Sequence, residues 1–163
     1  MTEGRTKLLP NNRWFSDALG PSFESGFQRE LLEFLCGDRL GAGMSREVFR
    51  YALDDDYVIK FEPIEHRFQN IEEMMTWQAV EHTKFAKWFA PCKAISGCGR
   101  IMLQRYAMPI SATNLPTELP AFFTDTKPGN WGLIGKQPVA VDYGRTRLMA
   151  RGLSSAMKKV HWT

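Results

Sequence analysis

The sequence is short of the features that would place it in a special structural class. Its 163 residues include only three cysteines, Cys36, Cys92 and Cys98, and no CxxC pair. An odd number of cysteines without that spacing fits a reducing compartment better than a disulfide framework, and no second pair completes a metal site with Cys92 and Cys98. No apolar run reaches the length of a membrane span, and the N-terminus lacks the apolar core of a signal peptide, so we expect a cytoplasmic protein without membrane contact.

A strong charge of one sign is also missing, although the charges are unevenly distributed. The net charge is +3, yet residues 145–163 carry five basic and no acidic side chains, so residues 1–144 have a net charge of −2. Such a basic tail would suit nucleic acid or an acidic partner, but a solvated helix end has the same composition. Because the tail has no interleaved aromatic platforms, we do not expect a nucleic-acid partner.

What is present is an average globular composition, with 44% hydrophobic and 24% charged residues, in a length that suits one domain. The periodicity predicts an α+β fold. Apolar residues at steps of four predict an amphipathic helix over residues 22–37, and a broad apolar stripe predicts a long helix over residues 68–89. Alternating patterns predict three antiparallel strands within residues 38–62 and two more over residues 92–96 and 100–106. The predicted order is therefore β-β-β-α-β-β.

The two ends of the chain are predicted to be less regular. Residues 1–22 are polar and rich in turn residues, which indicates an N-terminal arm. Prolines limit residues 107–124 to one short helix at about 118–123. A small hairpin over residues 131–141 and one helix near residues 154–160 complete the prediction.

Three short patterns in the first half of the chain would suit a phosphate-binding site. Gly41 and Gly43 lie between two predicted strands, where glycines let backbone N–H groups approach phosphate oxygens, although an ordinary hairpin explains them as simply. Lys60 lies on the third strand, from which it would reach phosphates or merely protect a sheet edge. Glu73, near the start of the long helix, would pair with Lys60, although acidic residues are favoured in any first helical turn.

The second half adds two loops with oxygen donors. Asp125 and Asn130 flank the sequence Thr-Lys-Pro-Gly, and Asp142 comes after eleven further residues. Carboxylate and amide oxygens are ligands that Mg²⁺ accepts, with nucleotide phosphates and water completing its octahedron. Chance explains either loop alone better than it explains both in this order.

Taken in order, these patterns resemble the motifs of protein kinases. Gly41-Ala42-Gly43 with Val48 is similar to the glycine-rich loop, and Val58-Ile59-Lys60 is similar to the third-strand lysine motif. Glu73 is similar to the glutamate of the following helix, although Glu72 and Glu81 are alternatives. The last two resemble the catalytic loop and the DFG motif: Asp125-x-Lys127-Pro128-x-Asn130 and Asp142-Tyr143-Gly144.

The resemblance implies a fold and its division along the chain. Residues 23–106 would contain the N-terminal helix and a kinase-like N-lobe, a five-stranded antiparallel sheet with one long helix. Residues 107–163 would form a strongly truncated C-lobe platform with the basic tail. Because only residues 145–163 follow the DFG-like motif, the activation segment and the later helices of the large lobe would be missing.

The resemblance also implies how ATP would be held. The nucleotide would lie against Gly41, Gly43 and Val48. Lys60 would hold its α and β phosphates while pairing with Glu73.

The catalytic platform would come from the second half of the chain. Asn130 and Asp142 would hold Mg²⁺, Asp125 would orient or deprotonate the attacking hydroxyl, and Lys127 would steady the γ-phosphate. One departure bears directly on this site, because Arg46 replaces the third glycine of the loop and would project a guanidinium toward the phosphates.

Two functions follow from the resemblance. The first is a minimal ATP- and Mg²⁺-dependent protein kinase that transfers the γ-phosphoryl group to a protein hydroxyl, in the manner of a compact viral or bacterial effector acting in the host cytoplasm. The alternative is a pseudokinase, a catalytically inactive kinase-like protein that inhibits or redirects a partner protein. Its interface would use exposed aromatic side chains around residues 14–27 and 85–89. Retention of every polar residue that the reaction needs favours the first function, and loss of the substrate-docking lobe favours the second.

Overall fold

The computed structural model describes residues 26–43, 45–62, 68–146, 148 and 152–162. The predicted arm, residues 1–22, and residues 14–25 of the predicted aromatic patch lie outside these ranges. The described part contains two α-helices, α1 (Gly26–Leu35) and α2 (Gln69–Val80), and neither is long and apolar enough to cross a bilayer. Its strands are β1 (Cys36–Ala42), β2 (Glu47–Tyr51), β3 (Tyr57–Phe61), β4 (Cys92–Ile95), β5 (Ile101–Arg105), β6 (Met108–Pro109), β7 (Glu118–Pro120), β8 (Trp131–Ile134), β9 (Gln137–Ala140) and β10 (Met157–Lys159).

Five strands form one antiparallel sheet in the order β1-β2-β3-β5-β4. Because α2 lies between β3 and β4 in the chain, the predicted β-β-β-α-β-β order and the α+β class are confirmed. The alternating pattern that predicted these strands reflects one buried face, on which Phe49 and Ile59 are paired across β2 and β3 and pack with Leu32 of α1. In the next register position Lys60 lies between Val48 and Met102. This alternation turns Lys60 away from the face that packs against α1.

Helix α2 is shorter than the sequence predicted. It begins where expected but ends at Val80, whereas the apolar stripe predicted a helix to residue 89. Thr83 helps to end it, because its backbone N–H and its hydroxyl both donate to the Val80 carbonyl at 2.8 Å. The chain then turns through the short 3₁₀ segment Ala86–Trp88, which lets Phe89 pair with Ala140 in a parallel bridge.

The second half of the chain forms two small sheets. Strands β6, β8 and β9 make a three-stranded antiparallel sheet, which confirms the predicted hairpin at residues 131–141. Strands β7 and β10 pair with each other, with Met157 opposite Pro120 and Lys159 opposite Glu118. The predicted helices at residues 118–123 and 154–160 are therefore wrong, because pairing between two distant segments satisfies their backbone groups instead.

The larger hydrophobic core packs aromatic rings from both halves of the chain. Phe89 is its centre, with ring centroids 5.0 Å from Phe123 and Tyr143 and 6.0 Å from Phe122. Phe85 and Phe89 are only 9% and 1% exposed, so the aromatic patch predicted at residues 85–89 is wrong as a docking surface. These residues instead fix the five-stranded sheet to the loops that follow it.

Candidate functional site

A cleft of about 720 Å³ lies between the glycine turn and the loops of the second half. Its walls contain eight of the nine site residues predicted from the sequence: Gly41, Gly43, Val48, Lys60, Asp125, Lys127, Asn130 and Asp142. The ninth, Glu73, is fully buried on α2. The fold therefore gathers the predicted residues around one opening.

An ion pair between Lys60 and Glu73 lies at the floor of this cleft. Lys60 Nζ is 2.8 Å from Glu73 Oε2, and both side chains are almost completely buried. Lys60 Nζ also donates to the carbonyl of Val141. Burial lowers the pKa of Lys60 more than the charge of Glu73 raises it, and a neighbouring guanidinium adds to the lowering. Of the three glutamates that the sequence left open, Glu73 is thus the one that meets Lys60.

Glu73 collects hydrogen bonds from four different parts of the chain. Its Oε1 accepts from Arg46 Nη2 at 2.6 Å and from the backbone N–H of Tyr143 at 3.1 Å. Its Oε2 accepts from Lys60 Nζ at 2.8 Å and from Gln104 Nε2 at 3.4 Å. Burial alone would raise the pKa of Glu73, but the charges of Arg46 and Lys60 outweigh it and lower that pKa to about 2. The carboxylate therefore stays ionised and holds two cations in place.

Arg46, in the turn between β1 and β2, is a site residue for which the sequence predicted only a guanidinium directed toward the phosphates. It is only 6% exposed, although it lines the cleft. Its Nη1 donates to Asn70 Oδ1 at 3.3 Å, and its Nη2 donates to Asp142 Oδ1 at 2.7 Å as well as to Glu73. Burial lowers the pKa of Arg46, but the charges of Glu73 and Asp142 more than reverse this, so the guanidinium stays charged. The sequence signal for Arg46 is a basic residue in place of the third loop glycine. The sequence does not reveal its partners, because they are distant along the chain.

Asp142 follows β9 and is positioned by the residue after it. The Tyr143 hydroxyl donates to the Ala90 carbonyl at 2.7 Å and lies 3.0 Å from Cys92 Sγ, so this ring is locked in the core. The Asp142 side chain stays half exposed at the cleft. Burial of its surroundings, and then the charge of Glu73, raise the pKa of Asp142. Protonation of this carboxyl is therefore easier than that of Glu73.

The loop from Asp125 to Asn130 forms the opposite wall. Asp125 Oδ2 lies 4.0 Å from Lys127 Nζ, and the two side chains are 36% and 69% exposed. The Asn130 carbonyl accepts from the Val141 N–H at 2.8 Å, which ties this loop to the segment that carries Asp142. The side chains of Asp125 and Lys127 are thus accessible to a molecule that enters the cleft.

The contact between Asp142 Oδ1 and Arg46 makes this oxygen a poor ligand for the Mg²⁺ ion that the resemblance implies. Its Oδ1 is 2.7 Å from Arg46 Nη2, so an ion bound to that oxygen at the roughly 2.1 Å usual for Mg²⁺ would lie against a positive guanidinium. In the part of the chain that the structure describes, no three His, Cys, Asp or Glu side chains are grouped to hold a metal ion. Metal binding by Asn130 and Asp142 stays a prediction.

The remaining walls of the cleft are partly apolar. Val48 and Val58 contribute apolar surface, and the segment from Gln104 to Ala107 lines the back. Gly132 lies beside this segment, and a Cβ there would come within 2.7 Å of Ala107 Cβ, so β8 packs closely only with glycine at this position. The volume lies within the range of about 300–1,000 Å³ that is typical of small-molecule sites.

The sequence matches no protein-family model, and it has no significant match among curated proteins. Its chemistry is therefore inferred from the geometry of the cleft.

Proposed function

We propose that this chain is a small ATP-dependent phosphotransferase of the protein-kinase type, which transfers the γ-phosphoryl group of ATP to a hydroxyl of a protein. The observation that carries the proposal is the buried Lys60–Glu73 pair at the floor of a cleft whose rim holds Asp125 and Lys127. A lysine that is costly to bury and is fixed by a carboxylate is expected where an anion has to be held.

The order of the strands and helix also supports this proposal. The five-stranded antiparallel sheet, with α2 inserted between its third and fourth strands, has the order that the resemblance implies for a kinase-like N-lobe. The glycine turn between β1 and β2 lies over the cleft, and the Asp125 loop lies across from it. The second half of the chain would then be the C-lobe platform.

Lys60 has the donors that a phosphate group requires. An ammonium group has three N–H donors, and within the described residues Lys60 uses them on Glu73 and on the Val141 carbonyl. One donor therefore remains for a phosphate oxygen in the cleft. Because Glu73 is fixed by four donors, Lys60 is held in position before any ligand binds.

Asp125 and Lys127 are placed for the transfer step. In that step the hydroxyl oxygen of the acceptor forms a bond to the γ-phosphorus, the bond from that phosphorus to the ADP oxygen breaks, and the hydroxyl proton is released. The partly exposed Asp125 carboxylate would orient the hydroxyl and accept its proton. Lys127 would offset the charge on the phosphoryl oxygens.

One observation favours a second candidate, a pseudokinase that binds a partner without transferring phosphate. Arg46 bonds both Glu73 and Asp142, so the carboxylate equivalent to a metal ligand is already engaged. Apolar side chains are also exposed outside the cleft, including Phe34 and Leu53, which are 65% and 58% exposed. Such side chains would suit a partner surface.

Transfer of label separates the two candidates. Purified protein is incubated with γ-labelled ATP and Mg²⁺, alone and with cell lysate, and compared with Asp125→Asn and with Asp55→Asn, a matched change in an exposed turn. We expect labelled protein with the wild type and Asp55→Asn, and about 10²–10⁴-fold less with Asp125→Asn. Equal labelling by Asp125→Asn would exclude transfer by this cleft. An ATP-induced thermal shift without label would instead support the pseudokinase.

A further inference from the structure

Arg46 places a fixed positive charge beside the carboxylate that would otherwise attract a divalent cation. The guanidinium is 6% exposed and bonds Asn70, Glu73 and Asp142, so three of its five N–H donors hold it in one position. The Gly43 N–H donates to the Arg46 carbonyl at 2.8 Å, which shapes the turn that delivers it. The Arg46 side chain is therefore held in one position by the fold and is not a mobile surface side chain.

The charges around the floor of the cleft balance without a metal ion. Lys60 and Arg46 are the two cations, and Glu73 and Asp142 are the two anions, with all contacts between opposite charges at 2.6–2.8 Å. Without Arg46, the remaining three groups would have a net negative charge, and a divalent cation would be needed before a polyphosphate could approach. Arg46 removes that need.

We infer that Arg46 takes the place of the divalent cation, so that the cleft binds the triphosphate of ATP in the absence of metal. This inference rests on the proposed ATP site. The guanidinium keeps two N–H donors, the Nε–H and one on Nη1, beyond those it uses within the described residues, and it lines the cleft. Each of these two N–H groups can donate one charge-assisted hydrogen bond to a phosphate oxygen.

The same geometry disfavours a metal ion at this position. A cation on Asp142 Oδ1 would compete with a guanidinium that is anchored on two other side chains, Asn70 and Glu73. Displacing Arg46 would leave Glu73 with fewer donors in a buried position, which is unfavourable. ATP without a metal ion can therefore bind to the cleft as it is, whereas binding of the metal complex would require Arg46 to move.

Calorimetric titration with ATP, in excess EDTA and in excess MgCl₂, tests the inference with the wild-type protein alone. We expect wild-type affinities that agree within about threefold in the two buffers, which corresponds to less than one kcal/mol. Binding that appears only in MgCl₂ would overturn the role given to Arg46 while leaving the ATP site intact. Binding in neither buffer would overturn the proposed function itself.

Variants then assign the effect to the guanidinium. Arg46→Met should lose about tenfold or more in affinity in EDTA and recover part of it in MgCl₂, because a metal ion can now reach Asp142. Arg46→Lys keeps the charge without the planar fork and should bind more weakly than wild type yet equally in both buffers. Arg39→Met, a change of the same type at an exposed arginine on β1, is the control and should match the wild type. An Arg46→Met protein that binds ATP in EDTA as tightly as wild type would contradict the inference, and circular dichroism establishes that each variant is folded.

Discussion

Arg46 Nη2 lies 2.7 Å from Asp142 Oδ1 and so joins two residues that are 96 positions apart. The same nitrogen lies 2.6 Å from Glu73 Oε1. The turn over the cleft, helix α2 and the segment after β9 are thereby connected at one point. The buried pair of Lys60 and Glu73 is consequently held in one position.

Glu73 should dominate the acid sensitivity of this fold. Because its pKa is lowered to about 2, its ionised form stabilises the folded state fully above the ordinary pKa of about 4.5, and this stabilisation is lost as the pH falls toward 2. Glu73→Gln leaves two buried cations poorly compensated and should cost about 3–5 kcal/mol at pH 7. Urea unfolding at neutral pH and at about pH 3 measures the difference between variant and wild type, which should shrink in acid.

Glu72→Gln is the matched control, because Glu72 is an exposed neighbour on the same helix. Its free energy of unfolding should stay within about 0.5 kcal/mol of wild type. A Glu73→Gln difference that is equally large at both pH values would contradict the assignment of the charged network.

Gly132→Ala should destabilise the fold without touching the charged groups. A Cβ at position 132 would lie 2.7 Å from Ala107 Cβ and 2.9 Å from the Met108 carbonyl oxygen, so β6 and β8 would have to separate. Overpacking of this kind costs about 1–3 kcal/mol. Thermal unfolding checks it, with Gly97→Ala as the control, since nothing lies within 4 Å of a Cβ there. Equal stability of the two variants would refute the close approach of β6 and β8.

The three cysteines should differ sharply in reactivity. Burial raises the pKa of Cys36 to about 12 and the pKa of Cys92 to about 11, whereas Cys98 is exposed and its pKa is lowered by hydrogen bonds in its turn. An alkylating reagent at neutral pH should therefore modify Cys98 alone in the folded protein. Mass spectrometry should find one modified residue before denaturation and three after it. Early modification of Cys92 would mean that the core around Tyr143 is not closed.

Much of the five-stranded sheet could be predicted from local patterns. The alternation around Phe49 and Ile59 and the aspartate turn before Tyr57 are local signals, and that turn has the Tyr57 N–H donating to the Asp54 carbonyl at 3.1 Å. The apolar stripe does not predict the end of α2, because the bonds from Thr83 to the Val80 carbonyl that help to end it are not visible in hydrophobic periodicity. Strands β7 and β10 were missed because each is defined only by its partner, and a short segment alone does not reveal a distant partner.

The residues of the candidate site could be predicted from their types and order, but the hydrogen bonds and ion pairs between them could not. Motif order placed Lys60, Asp125 and Asp142 in one site, and all three line the cleft. The choice of Glu73 over Glu72 and Glu81 depended on which of them the fold brings to Lys60. The role of Arg46 depended on two partners in other parts of the fold, since a basic residue in a turn is normally solvated.

The most direct test of the central claim is the dissociation constant for ATP, measured by calorimetry with Mg²⁺ present, for wild type, Lys60→Met and Lys159→Met. Lys60 is buried at the floor of the cleft, whereas Lys159 is exposed on β10. We expect one ATP per chain for wild type and Lys159→Met, and a loss of about tenfold or more in affinity for Lys60→Met. Equal affinity of all three proteins, or no binding by any of them, would contradict it.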